Sequence, residues 1–222
     1  MTVFHGSEFK IENPYLGGGK TTNDYGSGFY CTESEDLACE WAVTQKHDGY
    51  ANKYALDLRG LKVLDLNGDG SCVLHWLAVL LRHRAFDVRY GVATLAKPYL
   101  MENFAVDISK CDVIRGYRAD DSYFSFAQDF LSGTISYPQL TVAMRLGKLG
   151  EQIVLRSEAA FARIKFRSAK VATRETWLSA KERRDAAARK DYFDMRKTPY
   201  RLEDLSIQRI MEERIKPGDP RL

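Results

Sequence analysis

Apolar and polar positions alternate in several short runs along this chain, and longer stretches of helical periodicity lie between them. Met1–Phe4 leads into His5-Gly6-Ser7, which reads as a first strand ending at a site. Phe29–Thr32 has strand character. Ser34 or Glu35 then caps a helix whose face repeats through Leu37, Ala38, Trp41 and Ala42. Lys53–Leu58 and Lys62–Leu66 alternate as strands around an Arg59-Gly60 turn. Val73–Leu81 is an apolar helix closing on Arg82-His83-Arg84. A short strand at Asp112–Ile114 follows, then helices at Ser122–Leu131 and Ser136–Leu146. A strand at Gln152–Leu155, a helix at Ser157–Ile164 and a last strand at Lys165–Val171 complete the series. Short strands mixed irregularly with helices predict an α+β fold and not a regular βαβ series.

From Thr173 the pattern changes to a long charged helix with few apolar positions. After Pro199, Leu202, Leu205, Ile207, Ile210, Met211 and Ile215 form a helical face able to dock on a body. These boundaries predict a domain over residues 1–172 and a helical C-terminal extension over 173–222. Residues 13–28 are rich in Gly, Asn, Thr and Asp and read as a long loop, a feature that in compact domains is often functional.

The chain's net charge of +3 at pH 7 implies no strong partner, but its distribution is uneven. Residues 163–222 hold 17 Lys and Arg against 10 Asp and Glu, leaving an acidic body and a basic tail. Within that tail Lys181–Arg189 could meet nucleic-acid phosphates or an acidic partner, although Glu182 and Asp185 offset its charges at helical spacing. No window suits a membrane span and no secretory leader is visible, so a cytoplasmic protein is expected. Cys31, Cys39, Cys72 and Cys111 lack metal-site spacing and read as free thiols; no metal is expected.

Gly19-Lys20-Thr21 resembles the end of a phosphate-binding P-loop, but that motif needs glycine where Pro14 stands, and turn residues follow instead of a helix. Another constellation carries more. Phe4-His5-Gly6-Ser7 is followed, after the long loop, by Asp24-Tyr25-Gly26-Ser27-Gly28-Phe29-Tyr30-Cys31-Thr32 and then by Leu37-Ala38 and Trp41-Ala42. This order resembles the NAD⁺-binding half of ADP-ribosyltransferases of the His-Tyr-Glu type, closest to a bacterial toxin-like branch of that superfamily. The resemblance implies two bent, mostly antiparallel sheets flanking an NAD⁺ cleft. It also implies transfer of ADP-ribose from NAD⁺ to a protein or nucleic-acid acceptor, and a small neutralising antitoxin as partner. In those terms His5 holds the adenosine ribose, Gly6 the carboxamide and Tyr30 the nicotinamide ring. Ser7, Tyr25, Gly28 and Thr32 join them around the donor.

The residue types suit that chemistry. A glycine lets backbone N–H and C=O groups approach a planar carboxamide, a histidine can bond a ribose hydroxyl, and a tyrosine ring offers a stacking face. Cleavage of the glycosidic bond builds positive charge, which an anion stabilises. The resemblance implies a catalytic Glu on a late strand. Here Glu151 or Gln152 stands at that position, and only one of them can face the site because successive strand side chains point to opposite faces. If Gln152 does, Asp120 or Asp121 is the nearest candidate for the missing charge, unless the pair caps a helix. Arg84 could bind pyrophosphate or compensate a helix dipole. Hydrolysis of NAD⁺ and a non-catalytic binding domain stand as the alternatives.

Overall fold

A computed structural model describes residues 1–119, 121–146 and 150–222. Two open sheets form its framework. The first is antiparallel throughout, with β1 (Thr2–Ser7), β3 (Gly49–Leu56) and β7 (Ile164–Ala172) in the order β1-β3-β7. The second is mixed, with order β2-β6-β5-β4 from β2 (Phe29–Cys31), β6 (Glu151–Leu155), β5 (Val113–Tyr117) and β4 (Val63–Asp65). One isolated antiparallel bridge, Phe4 to Thr32, joins the two at the open edge of β1. The chain is therefore α+β, as the mixed periodicities predict.

The two strands expected around Arg59-Gly60 do not pair. β3 begins earlier, at Gly49, and lies between β1 and β7, whereas β4 runs parallel to β5 in the other sheet. A parallel pair needs a long crossover, and α2 (Val73–His83) with α3 (Ala93–Asn103) provides it. Helix α3 has no counterpart in the sequence reading, because Pro98 sits inside it and its apolar positions form no clear stripe. The helix expected at Ser157–Ile164 is a single turn, α6 (Glu158–Phe161).

Alternation along β2 and β6 sorts side chains between two cores. Val154 faces the larger core, built from Trp76, Leu77, Tyr123, Phe126 and Phe130 among others, and Tyr30 packs against it. Phe29, Cys31, Ile153 and Leu155 face a smaller core with Val3 and Tyr54. Helix α1 (Glu35–Ala42) packs across β1 and β3. Its start follows from Ser34, whose hydroxyl accepts from the Leu37 N–H at 3.2 Å, and from Glu35 and Asp36 beside the positive end of the dipole.

The charged helix α7 (Arg174–Arg196) leans on α1, and near its end Tyr192 stacks on Phe126 of α4 (Asp121–Leu131) at 3.8 Å. α5 (Tyr137–Ala143) packs on α4. Beyond it, Leu205 and the α8 (Ile207–Glu212) residues Ile207 and Ile210 enter the larger core, as does Ile215. The C-terminal extension thus shares its core with the body. Among the described residues no helix is long and apolar enough to cross a membrane.

Candidate functional site

A cleft of about 850 Å³ opens between the end of β1, the 13–28 loop, the β2–β6 ladder and α7. That size falls within the range of pockets for small molecules and cofactors. The loop folds over it: Pro14, Tyr15, Gly18, Gly19, Asn23 and Asp24 all contribute to its lining. Gly26 closes the loop with φ +76°, a conformation glycine reaches freely, and any side chain there would meet the His83 ring.

β1 is an edge strand, and hydrogen bonds along an antiparallel strand alternate sides. Phe4 bonds to Thr32 through both its N–H and its C=O, at 2.7 and 2.9 Å. The N–H and C=O of Gly6, two residues on, therefore point to the same side, away from β3. Gly6 is also packed face-on against α1, where a Cβ would collide with the Ala38 carbonyl and lie 2.8 Å from Trp41 Cβ. Glycine is required there for that close approach, and the edge beside it lines the cleft.

His5 stacks on Phe29 with centroids 4.3 Å apart, and its Nδ1 lies 2.6 Å from the Tyr30 carbonyl. A carbonyl can only accept, so Nδ1 carries the proton. Burial lowers the His5 pKa below the ordinary histidine value, which leaves a neutral ring whose Nε2 is an acceptor. Tyr30 is fixed at its far end: its hydroxyl donates to the Gly26 carbonyl at 2.6 Å and accepts from the Tyr25 N–H at 3.0 Å. Burial raises its pKa well beyond the ordinary tyrosine value, so the phenol stays neutral.

The register of β6 separates Glu151 from Gln152. Gln152 lines the cleft, whereas Glu151 lies on the opposite face, accepting from Asn67 Nδ2 at 2.9 Å and from Arg115 Nε. Gln152 is 6% exposed and donates through Nε2 to Asp24 Oδ2 at 3.4 Å, while its Oε1 has no hydrogen-bond partner among the described residues. Asp24 is the buried carboxylate of the site. It also accepts from the Ala119 N–H at 2.8 Å and pairs with Arg84 Nη1 at 2.7 Å. Burial raises its pKa, opposed by the Ala119 bond and by Arg84 and Arg118.

The structure gathers His5, Gly6, Gly28, Tyr30, Arg84 and Gln152 at the cleft. It places Ser7, Tyr25 and Thr32 elsewhere, each for a visible reason. The Ser7 hydroxyl donates to the Phe9 carbonyl at 2.5 Å and accepts from Asn52 at 3.1 Å. Tyr25 is wholly buried, and its hydroxyl donates to the Tyr117 carbonyl at 2.5 Å. The Thr32 hydroxyl accepts from the Ser34 N–H, and its backbone forms the bridge to β1. These three support the site from behind. Asp120 lies outside the described residues, and so does the side chain of Asp121, the residue that opens α4.

The sequence reading did not single out Asp24, Trp41, Arg118 or the α7 residues Lys181 and Arg184 as lining the cleft. The guanidinium of Arg118 lies 4.6 Å from the centroid of the Trp41 ring. Trp41 carried a signal, since on an amphipathic helix it follows Leu37 at i+4. Arg184 was visible only as part of the basic Lys181–Arg189 run, and its place at the cleft was not, because its contact with Glu40 of α1 spans more than a hundred residues of sequence.

Residues 1–166 match a family described as "Protein of unknown function (DUF3990)", and the chain belongs to that family. No curated protein and no solved structure matches it.

Proposed function

We propose that this member of the family binds NAD⁺ in the cleft and transfers its ADP-ribose to a macromolecular acceptor, releasing nicotinamide, on an ADP-ribosyltransferase-like fold. One observation carries the reading: the Gly6 backbone edge, unbonded among the described residues, the neutral ring of His5, the face of Tyr30 and the side chain of Gln152 converge on one cleft from three separate strands. The Gly6 edge offers an adjacent donor and acceptor, the pair a carboxamide needs. The Tyr30 ring gives the nicotinamide a flat apolar face, and the His5 Nε2 accepts from a ribose hydroxyl. Gln152 takes the catalytic position on β6, bonding the nicotinamide ribose while Asp24 holds its amide.

In the reaction the bond between ribose C1′ and the nicotinamide nitrogen breaks, its electron pair leaving with neutral nicotinamide. The acceptor nucleophile bonds C1′ and loses a proton. Gln152 contributes no negative charge to this step, and the buried charge beside it, on Asp24, is largely compensated by Arg84. That compensation favours one second reading, a domain that binds NAD⁺ without cleaving it. We keep the wider expectations of a bacterial toxin, a cytoplasmic setting and an antitoxin partner as part of the proposal, resting on the resemblance of the N-terminal motifs.

Incubation of the full chain with NAD⁺ labelled in the adenylate half, with cell extract as acceptor, separates the readings. Label on a macromolecule is the expected result. Free ADP-ribose alone points to hydrolysis, and intact NAD⁺ with saturable binding points to the binding domain. Absence of both binding and nicotinamide release refutes the proposal.

A further inference from the structure

We infer that helix α7 supplies the phosphate-recognising wall of the cleft, and that Arg184 is the residue that takes the diphosphate of the bound nucleotide. The inference deepens the NAD⁺ reading and rests on it for the identity of the anion. Two observations carry it. First, the cleft wall formed by α1 and α7 holds buried donors that no neighbouring side chain among the described residues satisfies. Trp41 Nε1, Arg184 Nε and Arg184 Nη1 are all buried without a hydrogen-bond partner among the described residues, and both side chains line the cleft. Buried donors are almost always bonded, so such a group calls for a ligand made of acceptors. A phosphate oxygen accepts and, when ionised, never donates.

Second, Arg184 is already oriented for this task. Its Nη2 is bonded to Glu40 of α1, which fixes the guanidinium plane and leaves the other donors uncommitted. Arg84, the residue expected to meet pyrophosphate, is committed to Asp24. Lys181, one turn before Arg184 on α7, adds a second cation to the same wall. Glu182 and Asp185 border it too, so selection rests on the directed donors and not on net charge. The helix lies beyond the residues that match the family, and it is anchored independently by the Tyr192 ring in the core.

Calorimetric titration of the full chain with inorganic diphosphate, ADP and NAD⁺ tests the assignment. Diphosphate and ADP should bind the unaltered chain. Arg184→Gln should weaken both by about tenfold or more, since charge-assisted bonds to phosphate are the strong ones. Lys181→Gln should weaken them a few-fold, and Arg89→Gln, at an exposed pair with Asp87, should leave them unchanged. Because Arg184→Gln leaves Glu40 without its cation, the double variant Glu40→Gln/Arg184→Gln must show the same loss while melting cooperatively. Undiminished binding in that double variant and in Lys181→Gln overturns the inference, as does failure of the unaltered chain to bind either diphosphate or ADP. Binding of ADP without NAD⁺ would instead sink the NAD⁺ reading and leave the phosphate wall standing. NAD⁺ binding that Arg184→Gln does not change would sink the wall alone.

Discussion

Glu151 and Gln152 are neighbours in the chain with separate surroundings. Glu151 is held by Arg115 and Asn67 on one face of β6, and Gln152 meets Asp24 on the other. Gln152→Ala should therefore lower nicotinamide release or NAD⁺ affinity at least tenfold, as loss of a charge-bonded group in a buried site does, whereas Glu151→Ala should change neither beyond about twofold. Equal losses in the two variants, measured side by side, would contradict the facing of β6. The histidines make a second residue-scale prediction. Burial is the first cause that lowers the pKa of His5, His75 and His83 below the ordinary value of 6.5. As pH falls through that value the unfolded chain takes up protons that the native state refuses, so native stability drops. Melting temperature should fall between about pH 7.5 and about pH 6, and His5→Asn, which can still donate to the Tyr30 carbonyl, should reduce the fall. A melting temperature flat over that window would mean that these rings are solvated.

Two elements, β1 and α1, meet at Gly6, which lines the cleft. Gly6→Ala places a methyl group against the Ala38 carbonyl and Trp41. Overpacking of this kind costs about 1–3 kcal/mol. In a chain of this length that corresponds to a fall in melting temperature of roughly 3–10 °C. An unchanged melting temperature in calorimetry would mean that α1 does not sit on β1 as described. The same junction shows what element-level reading can reach. Helix α1 was legible because Ser34, the acidic first turn and the apolar stripe agree. The separation of β3 from β4 was not, because an alternating run states that a strand exists but not which strand lies beside it. Pro98 and an even spread of apolar residues hid α3, whose burial against α2 overrides weak local preference.

At the scale of the whole molecule, the C-terminal segment is a structural part of the body and a wall of the cleft. Its Tyr192, Leu205, Ile207, Ile210 and Ile215 belong to the larger core. A chain ended after residue 172 should consequently expose that core, bind a hydrophobic dye and lose its cooperative melt; a truncated chain melting like the parent would show the segment to be dispensable. The amphipathic face after Pro199 was visible as one able to dock, yet its docking place was not, since nothing in a local pattern names a partner a hundred residues away. The same division runs through the site. Sequence by itself determined that glycines punctuate the loop before the second strand and that only one of Glu151 and Gln152 can face a given side, while the grouping of His5, Gly6 and Tyr30 rests on the resemblance. Tertiary structure alone decided which one does, that Asp24 joins it, that Ser7, Tyr25 and Thr32 are bonded away from the cleft, and that Arg184 lines it. The reason is physical: periodicity and turn chemistry act over a few residues and are written locally, whereas facing, burial and pairing arise only when distant strands and helices pack.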